Sequence, residues 1–118
     1  MRLSVVGLGP GPAAWITPAA TTRLRTPGAS IFVRTRLFPG LDALLDGLDW
    51  ESFDELYERA ESLALLHTSM AERLLGAGDD VVLAVPGDGT LGEGLLDTLR
   101  GNGATIDVIP GVPLGVSA

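Results

Sequence analysis

The sequence predicts an α/β fold: a single three-layer α/β/α domain over residues 1–118, built around a mainly parallel sheet of about five strands. Three observations predict it. Short apolar runs, Leu3–Gly7 (LSVVG), Ser30–Arg34 (SIFVR), the run opening at Val81 (VVLAVP) and Thr105–Ile109 (TIDVI), alternate with stretches whose apolar residues recur at helical spacing. The run at Val81 carries no charge and no polar alternation, the pattern of a strand buried on both faces. Three strands also break into loops dense in glycine and proline: Gly7–Pro12 (GLGPGP), Pro86–Thr90 (PGDGT) and Pro110–Val116 (PGVPLGV). In a parallel sheet such loops fall on one edge, where ligands bind.

In chain order, Leu3–Gly7 is the first strand. Thr17 followed by Pro18 reads as an N-cap with proline at the first helical position, opening a helix to about Arg25 that Pro27-Gly28 ends. Ser30–Arg34 is the second strand, and after Pro39-Gly40 the piece Leu41–Leu48 is weakly helical. In Trp50–Ala60, Ser52 and Glu55 form a capping box. Phe53, Leu56, Tyr57 and Ala60 share one stripe, and Asp54, Glu55, Glu58 and Glu61 fall on a solvated face rather than in a metal cage. Leu63, Leu66, Met70 and Leu74 carry a helical pattern to Gly76-Ala77-Gly78. After the strand at Val81, Thr90 and Glu93 form another capping box, followed by Leu91, Leu95 and Leu99 at helical spacing. Gly101-Asn102-Gly103 then turns the chain into Thr105–Ile109.

Composition narrows the function classes. The net charge is −7, from 8 basic residues, all of them arginine, against 15 acidic ones. That balance argues against nucleic acid or an anionic membrane as the main partner, since both require phosphate neutralisation by cations. There is no cysteine, which excludes disulfides, thiolate metal sites and a cysteine nucleophile. With no apolar run long enough to span a membrane and no signal peptide before the first strand, a cytoplasmic location is expected.

The loop after the Val81 strand is the predicted ligand seat, because a glycine-rich turn feeding a helix start offers free backbone N–H groups. It is not a dinucleotide fingerprint: Pro12 stands where the last glycine of G-x-G-x-x-G belongs, and residues 1–41 contain no carboxylate. Without lysine it is not a Walker A loop either. Asp88 reads either as a ligand contact or as a cap on the next helix. His67, the single histidine, is expected on the surface or half-buried, and Trp15 and Trp50 as core or interface aromatics.

VVGLGPG near the amino terminus, AVPGDG before a helix and VIPGV near the end together resemble the tetrapyrrole (corrin/porphyrin) methylase family of class III S-adenosylmethionine-dependent methyltransferases. The segment WESFDELYERAE resembles the branch fused to MazG-type nucleotide pyrophosphohydrolases. The resemblance implies the amino-terminal domain of a two-domain methylase, with the second domain absent. It implies S-adenosylmethionine as cofactor, no metal, and a tetrapyrrole-like small molecule as acceptor. Carried over residue by residue, it places Pro10, Pro86, Gly87, Asp88, Leu91, Pro113 and Leu114 around the cofactor. The chain departs from the family pattern at Pro12, where the first loop usually has Asp, at Gly89, where the second usually has Pro, and at Pro113, where a hydroxyl residue is common.

Two functions follow as expectations. One is a methyltransferase domain completed by a second domain or by a homo-oligomer, with exposed apolar surface near residues 112–116. The other is a non-catalytic interaction or regulatory module that keeps the methylase fold.

Overall fold

The computed structural model of the chain describes residues 1–9, 16–87 and 91–111. Its strands are β1 (Arg2–Gly7), β2 (Ser30–Val33), β3 (Trp50–Ser52), β4 (Asp80–Val85) and β5 (Thr105–Ile109). The helices are α1 (Pro18–Leu24), α2 (Leu41–Leu44), α3 (Asp54–Arg59), α4 (Leu63–Leu75) and α5 (Glu93–Gly101). All five strands are parallel in one sheet, in the order β3-β2-β4-β1-β5.

That order determines where a ligand can enter. From β1 the chain steps over β4 to reach β2, while from β4 it steps over β1 to reach β5. Right-handed crossovers in opposite directions put their helices on opposite faces. Accordingly α1 and α2 cover one face, through Ala20, Leu24, Leu41 and Leu45 against Val6, Leu8, Val33, Val82 and Ala84. The helices α3, α4 and α5 cover the other, through Phe53, Leu66, Met70, Leu74, Leu95 and Leu99 against Leu3, Val5, Phe32, Val81, Leu83 and Val85. The connections therefore part between β1 and β4, opening a crevice outside their carboxyl ends. The alternation Val81, Leu83, Val85 to one face and Val82, Ala84 to the other confirms a strand buried on both sides.

Local signals account for most elements. Thr17 is the N-cap of α1, its hydroxyl accepting from Ala20 N–H at 3.2 Å, with Pro18 at the first helical position. Ser62 caps α4 in the same way, at 3.1 Å from Leu65 N–H.

Both expected capping boxes are corrected. Ser52 is the last residue of β3 and its hydroxyl accepts from Arg36, so α3 starts one residue later, behind Phe53, with no side-chain cap. The strand β3 itself is too short to read from periodicity, and it forms because Trp50–Ser52 pairs with Ile31–Val33. Phe53 enters the core by stacking on Phe32, with ring centroids 5.2 Å apart. Likewise α5 starts at Glu93 behind Gly92, an N-cap with no side chain to accept from the first-turn amides, while Thr90 lies outside the described residues.

Candidate functional site

The two central strands end in a backbone-only junction. Beyond Gly7, Leu8 is fully buried and its N–H donates to Val85 O at 2.8 Å, extending the β1–β4 ladder by one bond. Then both chains turn. Gly9 and Gly87, with φ of 73° and 83°, take a left-handed conformation that favours glycine. They meet as an antiparallel bridge: Gly9 N–H donates to Gly87 O at 2.7 Å, and Gly87 N–H donates to Gly9 O at 2.8 Å.

Gly111, just past β5, closes the same junction. A Cβ there would lie 2.6 Å from both Gly87 O and Gly9 N and 2.8 Å from Gly7 C. Only glycine lets the third loop press its main chain onto the other two. The three glycine- and proline-bearing loops thus converge on one rim, at the crevice where the crossovers part. Gly87 keeps open space on its Cβ side, with nothing among the described residues within 4 Å.

One expectation is corrected by this geometry. The Gly9 and Gly87 amides are spent on each other and are not donors to a ligand. At Gly9, Gly87 and Gly111 the rim presents main chain without side chains. Of the predicted site residues, Pro86 and Gly87 stand at the junction and are half-buried. Leu91 is half-buried too, its side chain packed on the core beneath α3, α4 and α5. Pro10, Asp88, Pro113 and Leu114 lie outside the described residues, as do Trp15 and the stretch 112–116.

Further along the rim, the end of β2 carries a polar cluster that periodicity did not flag. Arg34 N–H donates to Ala84 O at 2.9 Å, so Arg34 stands level with the last residue of β4. Its guanidinium lies 5.9 Å from the Tyr57 ring centre, and its Nε donates to the Tyr57 hydroxyl at 3.0 Å. Next to it, Asp54 accepts from Arg36 N–H at 2.8 Å, from the Thr35 hydroxyl at 2.7 Å and from Arg36 Nε at 3.3 Å. The Arg36 backbone amide first, then the Thr35 hydroxyl, hold the Asp54 carboxyl below the usual carboxylate range, against the opposing effect of burial. Asp54 is therefore a brace for the β2–α2 loop and not part of a solvated acidic face. The signal was present in the sequence as Thr35-Arg36 following a strand, but only pairing of β3 with β2 brings Asp54 to it.

His67 is half-buried with its imidazole beside Gly92 and Gly94, at the start of α5. Trp50 is half-buried against the α1–α2 core. Among the described residues no three His, Asp or Glu side chains converge as a metal site, and no helix is long and apolar enough to cross a membrane.

With this geometry established, comparison with known proteins is informative. The sequence profile of the Tetrapyrrole (Corrin/Porphyrin) Methylases matches residues 2–118. The chain belongs to that family.

Several solved structures share its fold. Uroporphyrin-III C-methyl transferase from Thermus thermophilus, complexed with S-adenyl homocysteine, superposes with a TM-score of 0.66 at 24% identity, over 96% of this chain and 46% of that one. A diphthine synthase superposes with a TM-score of 0.68 at 19% identity, over 97% and 45% of the two chains. A putative cobalamin synthesis related protein from Corynebacterium diphtheriae does so with a TM-score of 0.59 at 25% identity, over 97% and 55%. This tetrapyrrole methylase chain thus spans about half the length of the solved structures it matches. No curated protein matches the sequence closely.

Proposed function

We propose that this chain is the S-adenosylmethionine-binding domain of a methyltransferase of the tetrapyrrole methylase family, and that a second domain or subunit completes its acceptor site. The observation that carries the reading is the convergence of Gly9, Gly87 and Gly111 at the crevice between β1 and β4. The donor set fits the cofactor. A side-chain-free rim with open space at Gly87 admits a flat, largely apolar adenosyl group, and the neighbouring sequence supplies small and apolar residues rather than metal ligands.

In this reading Pro10, Pro86, Gly87, Asp88 and Leu91 hold the cofactor from the first two loops, and Pro113 and Leu114 from the third. S-adenosylmethionine, when bound, supplies an electrophilic methyl group on its sulfonium. The work of the chain is then to align that group with an acceptor and to exclude water, which is where most of the rate enhancement of such a transfer originates. The locked Gly9–Gly87 bridge suits that role, because a rim that does not rearrange costs little to order on binding. The family supports a tetrapyrrole-like acceptor, the segment Trp50–Glu61 supports placement in the MazG-associated branch, and a cytoplasmic location is in keeping with this reading.

The test is calorimetric titration of the folded chain with S-adenosylhomocysteine. Binding at or below about 1 mM is expected, a free energy of about −4 kcal/mol or better. A folded sample that gives no heat at that concentration would favour the alternative, an interaction or regulatory module that keeps the methylase fold.

A further inference from the structure

Three of the eight arginines, Arg25, Arg34 and Arg100, have no carboxylate partner among the described residues, and of these Arg34 is the one held at the carboxyl rim of the sheet by a side-chain partner. In a chain with 15 carboxylates, five of the eight arginines form ion pairs: Arg2 with Asp107, Arg23 with Asp80, Arg36 with Asp54, Arg59 with Glu55 and Arg73 with Glu51. Arg25 instead donates to the carbonyls of Leu44 and Asp46, next to the end of α2. Arg34 contacts no carboxylate among the described residues, although Asp54 sits only three residues from its partner Tyr57.

The partner it does have is chosen in a way that leaves the charge whole. A phenol hydroxyl and a ring face orient a guanidinium without neutralising it. Only Nε is used, so the edge formed by the two terminal nitrogens keeps its paired N–H groups for something else. That edge matches the two oxygens of a carboxylate or phosphate. The residue is exposed, follows directly on β2, and is level with Val85 and hence one strand away from the Pro86–Gly87 turn. Among the described residues no carboxylate neutralises this cation at the carboxyl rim, and Tyr57 holds it in one place.

We propose that Arg34 recognises an oxyanion, a carboxylate or phosphate group, on the acceptor molecule that approaches this rim, with Tyr57 as its positioning residue. The proposal rests on reading the rim as a methyl-transfer site and adds the charge of the substrate to it. Next door, Asp54 is already engaged by the Arg36 backbone amide, the Arg36 guanidinium and the Thr35 hydroxyl.

The experiment titrates the full chain at low, constant ionic strength with benzene-1,2,4,5-tetracarboxylate and, separately, with inorganic phosphate, following backbone amide shifts by NMR. Shifts at Arg34 and Tyr57 with either probe are expected, and the tighter probe names the anion. Arg34→Gln should weaken binding at least about tenfold, the scale of one charge-assisted bidentate pair. Tyr57→Phe, which removes only the hydroxyl, should weaken it about threefold while Arg34→Lys retains part of it. Arg100→Gln, on the exposed end of α5, should change it less than twofold.

Equal binding by the wild type and Arg34→Gln, or no shift at Arg34 with either probe, overturns the proposal. A parallel S-adenosylhomocysteine titration separates the two readings. Cofactor binding without anion binding removes the role of Arg34 and leaves the methyl-transfer reading standing. Anion binding at Arg34 without cofactor binding does the reverse.

Discussion

The two ends of the same central strands are fastened by opposite means. At the amino end, side chains do it. Arg23 from α1 is buried, donates from Nε to the Ser4 hydroxyl at 2.9 Å and pairs with Asp80, tying α1 to β1 and β4 together. Arg2 pairs with Asp107 across to β5, and the Ser30 hydroxyl donates to Ala77 O at 2.8 Å. At the carboxyl end no side chain takes part in the junction of Gly9, Gly87 and Gly111, which is main chain against main chain. The difference teaches that rigidity can be obtained without filling space. Side chains anchor the sheet at the amino end, and glycine at the carboxyl end brings three loops together while leaving open space beside Gly87 among the described residues.

Removing one anchor at each end should separate stability from binding. The largest effect is expected for Arg23→Ala. It strands the Asp80 carboxylate and the buried Ser4 hydroxyl, and partial exposure of Asp80 limits the loss to about 3 kcal/mol. Denaturant unfolding should show that loss, while the affinity of the remaining folded protein for S-adenosylhomocysteine stays within about twofold of wild type.

Gly111→Ala should cost less, about 2 kcal/mol for forcing a methyl group against two main-chain atoms at 2.6 Å. Here the affinity should also fall, by about tenfold or more, because all three loops must shift. Equal effects of both substitutions on affinity would erase the contrast between the two ends.

Gly87→Ala comes next. Its Cβ meets open space, so the cost is that of a left-handed backbone alone, about 1 kcal/mol, seen as a small drop in the unfolding midpoint. If that open space is where the cofactor lies, affinity should drop more than stability does.

The smallest effect concerns Asp54, at the rim but outside the glycine junction. Asp54→Asn should cost about 1 kcal/mol at neutral pH, since the hydrogen bonds to Arg36 N–H and the Thr35 hydroxyl are only partly shielded from water. The folded-state pKa of Asp54 is depressed, so its contribution is full above the unfolded-state value near 3.8 and is lost as pH falls through the lower folded-state value. The stability difference between wild type and Asp54→Asn should therefore shrink as unfolding is measured below about pH 4.

How much of this was legible beforehand depended on the range of the interaction. The strands at β1, β2 and β4 declare themselves because burial on a parallel sheet demands runs of apolar residues, β5 because its Thr, Ile and Val favour a strand even on the exposed edge, and α1 because Thr17-Pro18 is a self-contained start signal. The Ser52–Glu55 and Thr90–Glu93 pairs carry the same kind of local signal and misled. In each case a tertiary demand, pairing of β3 with β2 or the placement of Gly92 before α5, moved the helix start. Arg34 and Tyr57 were visible only as the last residue of a strand and an aromatic on a helical stripe until the packing of α3 on the sheet joined them.

By itself the sequence determined that this chain alternates strands with helices and that three of its loops are made of residues suited to tight turns. It did so because hydrophobic period and turn chemistry are local properties, written in neighbouring residues. The tertiary structure alone decided the strand order β3-β2-β4-β1-β5, and with it that Gly9, Gly87 and Gly111 meet and that the Gly9 and Gly87 amides satisfy one another. Contacts between residues so far apart in the chain are selected by the handedness of the crossovers and by burial of the whole sheet, and no short stretch of sequence encodes either.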